Sequence, residues 1–169
     1  MKRVVTALFN NAGDAIKAVQ EISPFLGPDQ VSLVTKLKSD NEEVLGGPKG
    51  ILLYTSRIYG QSEPLAPLQG LYPVEIVELE KHGTFAAVGP LADAIMQPDK
   101  SIADALSYLG VHTEEANYLA TEVLEGNTLV AIESDNSKIN EIGNLLANYG
   151  GYAVKKWDRD LDHALYPYG

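Results

Sequence analysis

The chain has 169 residues, 45% of them hydrophobic and 21% charged, with a formal net charge of −10 and a pI near 4.6. That length buries a core without disulfide or metal staples, and the balance of apolar and charged residues is that of a globular chain. The acidic balance repels phosphate backbones, so nucleic acid is not expected as a partner, and the absence of cysteine excludes disulfides, thiol catalysis and thiolate metal sites.

Taken from the N-terminus, Met1-Lys2-Arg3 enters a strand pattern rather than the apolar core of a signal peptide. Residues 4–9 read as a strand that ends at Asn10-Asn11. A helix is predicted over 14–22, with Asn11 as its N-cap and Ile16, Val19 and Ile22 at helical spacing. Pro24 marks its end, and Gly27-Pro28-Asp29 turns the chain into a strand over 31–34. A crossing of this kind sets the two strands parallel and the helix on one face.

Regular signals fade between 39 and 70. Residues 51–54 read as a short strand or a helical turn, and Pro64, Pro67 and Gly70 break anything longer. A loop of this length in a compact domain points to function or to an unrecognised element. Residues 74–80 and 84–88, joined through Lys81-His82-Gly83, read as a hairpin. The run 84–96 is broken by Pro90 and Asp93 and falls short of the roughly 20 apolar residues that span a bilayer. A small helix is predicted over 91–96, a second capped by Ser101 and stopped by Gly110, and a third from Thr113 to Gly126, with Glu114 and Glu115 favourable at its positive end. The strand–helix–strand order then recurs. A strand is predicted over 129–132 and a helix over 138–146, capped by Asp135, Asn136 or Ser137 and stopped by Gly150-Gly151. The last strand covers 152–154.

Two such units predict an α+β fold with a ferredoxin-like split β-α-β core and a long insertion between the two halves. Residues 1–157 form one domain, with halves 1–38 and 127–157 and the insertion at 39–126; residues 158–169 are a tail. The sheet is expected to be mostly antiparallel with helices on one face. An open second face calls for self-association or for cover from the insertion or the tail. A cytoplasmic homo-oligomer with no membrane span is expected.

Four stretches carry a resemblance. They are Phe9-Asn10-Asn11 with Ala15 and Ala18 in the helix beyond, Val31-Ser32-Leu33-Val34 after the Gly-Pro-Asp turn, Gly89-Pro90-Leu91-Ala92 with Leu109-Gly110-Val111, and Glu115-Ala116-Asn117-Tyr118 leading to Glu125-Gly126-Asn127-Thr128-Leu129-Val130. In these the chain resembles the bacterial heat-induced general stress proteins of the 17M type. The resemblance implies the fold and a loose link to stress response. That family has no well-defined reaction, and no catalytic residue carries over from it. It places a Gly-rich apolar segment in the middle, where this chain is Pro-rich and partly strand-like over 39–81.

No catalytic residue and no cofactor are assigned from the sequence. The reading is of a non-catalytic binding or interaction protein with a stress-related role, self-associating through its sheet or tail. One alternative is a small-molecule sensor at the first strand–helix corner, where Asn10, Asn11, Gly13 and Asp14 offer backbone N–H groups to an anion or an amino acid; a capped helix start explains the same residues. The other alternative is a metal-assisted enzyme. Asp158, Asp160, Asp162 and His163 begin like a calcium loop, but His163 stands where the loop needs glycine and Gly169 where it needs glutamate. His82, His112 and His163 supply three imidazoles without helical pair spacing. Glu75, Glu78 and Glu80 read as a solvent-facing strand edge. Tyr149, Tyr152, Tyr166 and Tyr168 with Trp157 suit packing within the domain or between subunits.

Overall fold

A computed structural model describes residues 2–27, 29–37, 74–79, 83–96, 101–135 and 137–158. Strand β1 (Lys2–Phe9) leads to helix α1 (Ala12–Ile22), a 3-10 turn (Ser23–Phe25) and β2 (Val31–Lys36). The hairpin β3 (Val74–Leu79) and β4 (Gly83–Val88) follows, and then α2 (Pro90–Ile95), α3 (Ile102–Tyr108) and α4 (Thr113–Leu124). Then come β5 (Thr128–Asp135), α5 (Ile139–Asn148) and β6 (Tyr152–Asp158). The 51–54 element predicted from the sequence lies outside the described residues.

Among the described residues the strands form one six-stranded antiparallel sheet in the order β3-β4-β2-β5-β1-β6. β1 pairs with β5 and β5 with β2, so β1 and β2 run the same way with β5 between them. The two predicted halves therefore interleave in one sheet, and the hairpin extends it beyond β2.

Period-two alternation gives the sheet two apolar faces. Phe9, Leu33, Val88, Val130 and Ile132 pack with Ile16, Val19 and Ile22 of α1 and Ile139, Ile142 and Leu146 of α5. Leu8, Val34, Phe85, Ala87 and Leu129 pack with Leu91 and Ile95 of α2, Leu106 of α3, and Leu119 and Val123 of α4. This corrects the expectation of helices on one face. Both faces of a fully apolar sheet must leave water, and at about 25 cal/mol per Å² of buried apolar surface the second face is too large to leave open. The insertion provides its cover. Lys36 pins this layer to the sheet, because its Nζ donates to the Leu124 carbonyl at 3.0 Å, a cation at the negative end of α4.

Local chemistry accounts for the element ends. Asn11 caps α1, accepting from the Asp14 N–H at 2.9 Å. Ser101 caps α3 and forms a reciprocal capping box with Asp104. α5 starts later than predicted, with Lys138 at the N-cap and no side-chain cap, because the Lys138 N–H donates to the Asp135 carbonyl and closes a turn first. Gly150, at φ +101°, ends the helix in the left-handed region. Among the described residues no helix is long and apolar enough to cross a membrane.

Candidate functional site

The helices α1 and α5 lie side by side on one face of the sheet, one from each β-α-β unit. Where α1 ends and α5 begins they part, leaving a cleft of about 140 Å³. Ile22 of α1 and Phe25 and Leu26 beyond it form one wall; Ile142 and Leu145 of α5 form the other. Lys138 and Glu141 of α5, one helical turn apart, complete the lining. Ile22 and Ile142 are buried, whereas Phe25 is 71% exposed, so the cleft opens to solvent. Pro24 produces this opening: it sits in the 3-10 turn that follows α1 and carries Phe25 outward instead of continuing the helix.

At the opposite end of α1 lies the strand–helix corner singled out in the sequence. Asn11 spends its oxygen on the Asp14 N–H, and its Nδ2 donates to Asp14 Oδ2 at 3.3 Å. Asn10 and Gly13 are exposed beside them. The corner is thus a capped helix start whose two polar side chains hold each other.

The metal candidates do not meet within the described residues. Asp158 ends β6, in register with Arg3 of β1, while Asp160, Asp162 and His163 lie outside the described residues, as does His82. No group of three or more His, Asp or Glu side chains among the described residues is placed to hold a metal ion. His112 instead leans on Trp157, ring centroids 5.1 Å apart and planes at 51°. Trp157 donates its indole N–H to Thr6 Oγ1 at 2.9 Å in the buried layer beneath α4. Glu75 and Glu78 point to opposite faces of β3, opposite Ala87 and Thr84, and Glu80 lies outside the described residues.

A second polar group joins α4 to β6. Glu122 accepts from Asn127 Nδ2 at 3.0 Å and from the Tyr152 hydroxyl at 3.4 Å. Removal from water, then the Glu122 charge and the neighbouring Tyr118, push the Tyr152 hydroxyl above its usual value near 10. Lys155 and Glu115 pair at 3.0 Å nearby. These groups are paired with one another and present no nucleophile beside a free base.

The cleft was not among the sites expected from the sequence. Its signal was present in part, since Ile142 and Leu145 belong to the apolar stripe of α5. Phe25 and Leu26, two large apolar residues just past Pro24, extend beyond what ending a helix requires. Compared with known protein families, curated proteins and solved structures, the chain matches none.

Proposed function

We propose that this is a non-catalytic binding protein built on a ferredoxin-like core, and that its site is the cleft between α1 and α5. The order β2-β5-β1-β6, with α1 and α5 crossing the same face, supports the ferredoxin-like reading. The observation that carries the binding reading is the cleft itself, an open apolar recess between the two equivalent helices, bordered by a cation and a carboxylate. A cavity of roughly 150 Å³ holds one benzene ring, so the site is sized for a single ring or a branched alkyl group rather than for a nucleotide. The support for a stress-linked role is the resemblance of residues 9–11, 31–34, 89–92 and 115–130 to the heat-induced general stress proteins.

The experiment is a titration of ¹⁵N-labelled protein with 3-methylbutan-1-ol, a neutral molecule carrying one branched alkyl group. Amide shifts are expected at residues 22–26 and 138–145, and the variant Leu145→Trp, which fills the recess, is expected to abolish them. Shifts scattered over the surface, or none, would overturn the assignment of the site.

A further inference from the structure

Lys138 and Glu141 stand one turn apart on the same side of α5, and both line an otherwise apolar recess. Among the described residues neither side chain is engaged in a hydrogen bond or an ion pair; the salt bridge described there joins Lys155 and Glu115. A small apolar ligand with no charge would engage neither group. An apolar anion would meet Lys138 favourably and Glu141 unfavourably, and an apolar cation the reverse. The ligand that satisfies both carries one charge of each sign close together at one end and an apolar group at the other.

We propose that the cleft binds a free α-amino acid with a branched or small aromatic side chain. The ligand carboxylate pairs with the Lys138 ammonium, the ligand ammonium pairs with the Glu141 carboxylate, and the side chain enters between Ile22 and Ile142. This rests on the cleft being a binding site and adds the class of ligand. Charges three residues apart on a helix are separated by about 5–6 Å at their Cβ atoms, and flexible side chains close that gap onto neighbouring charges. The recess volume sets an upper limit. Leucine, isoleucine and phenylalanine side chains fit a space of about 140 Å³, whereas the bicyclic indole of tryptophan exceeds one ring.

The test compares L-leucine with three partial analogues in the same amide titration: isovalerate, which lacks the ammonium, isoamylamine, which lacks the carboxylate, and 3-methylbutan-1-ol, which lacks both. Leucine is expected to bind about tenfold more tightly than the alcohol, the scale of a charge-assisted contact at a solvent-open rim. Lys138→Met and Glu141→Gln are each expected to remove most of that advantage, read as the ratio of leucine to alcohol affinity measured on the same variant. L-tryptophan is expected not to shift the cleft amides. If the alcohol shifts the cleft amides and leucine binds no better, or if the two variants leave the leucine advantage intact, the amino-acid assignment is overturned and the cleft remains a site. If neither compound shifts those amides, the cleft reading falls and this inference falls with it.

Discussion

Trp157 is the chain's one tryptophan, and its indole N–H is buried with the Thr6 hydroxyl as its acceptor. A buried donor stripped of its partner keeps its desolvation cost and loses the compensating bond. Thr6→Val, which preserves the side-chain shape, is therefore expected to cost about 1–3 kcal/mol in urea unfolding followed by Trp157 fluorescence. Thr6→Ser retains the acceptor and is expected to cost less; equal losses would show that the bond contributes nothing. Tyr152 gives a pH-dependent counterpart. Its hydroxyl is held protonated by burial and by Glu122, so its folded-state value lies above the unfolded one near 10. A raised value on such a group adds stability that is complete below pH 10 and is lost as pH rises through the folded-state value. Wild type is thus expected to lose melting temperature above pH 10 more steeply than Tyr152→Phe. Parallel curves for the two proteins between pH 9 and 11 would remove Tyr152 as the cause.

Helix α2 shows how an element too short to stabilise itself is held by the sheet. Its N-cap is Gly89, which has no side chain to offer, and the buried Leu91 N–H instead donates to Ser32 Oγ of β2 at 3.0 Å. Gly89 permits this approach. At φ +83° it lies against β2 so closely that a Cβ would stand 1.9 Å from the Val31 carbonyl oxygen. Gly89→Ala is expected to cost more than about 3 kcal/mol, because rigid backbone must move, whereas Ser32→Ala is expected to cost about 1–2 kcal/mol, the scale of a lost cap. A Gly89→Ala protein that melts like wild type would show that the helix and strand do not meet this closely. The same contact marks the limit of what the sequence discloses. The caps at Asn11 and Ser101, the hairpin and both amphipathic helices are legible because a few neighbouring residues decide them. That Ser32 caps a helix 59 residues away, that α2, α3 and α4 cover the second face, and that Phe25 and Leu26 line one cleft with Ile142 are decided by tertiary packing. No local pattern carries those pairings.

Across the whole molecule, the insertion does the work that self-association does in a sheet with one bare face. Leu8, Val34, Phe85 and Leu129 form one continuous apolar surface, and α2, α3 and α4 sit on it. β2 and β5 are antiparallel neighbours, with Val34 opposite Leu129 and the Thr35 and Thr128 hydroxyls 2.9 Å apart. Their adjacent ends let a short turn replace everything between Lys36 and Thr128. Such a shortened chain keeps β1, α1, β2, β5, α5 and β6 but uncovers Val4, Leu8, Val34, Leu129 and Ala131. An exposed patch of this kind on a small domain drives association. Sedimentation velocity is expected to show the shortened chain more self-associated than the full chain at equal concentration, with charged substitutions at Leu8 and Leu129 reversing it. The cleft lies on the other face, so the shortened chain is expected to retain the amide shifts at residues 138–145 on titration with 3-methylbutan-1-ol. A shortened chain that folds cooperatively and stays dispersed would mean that the second face needs no cover. The three helices would then have to be explained by something other than the sheet beneath them.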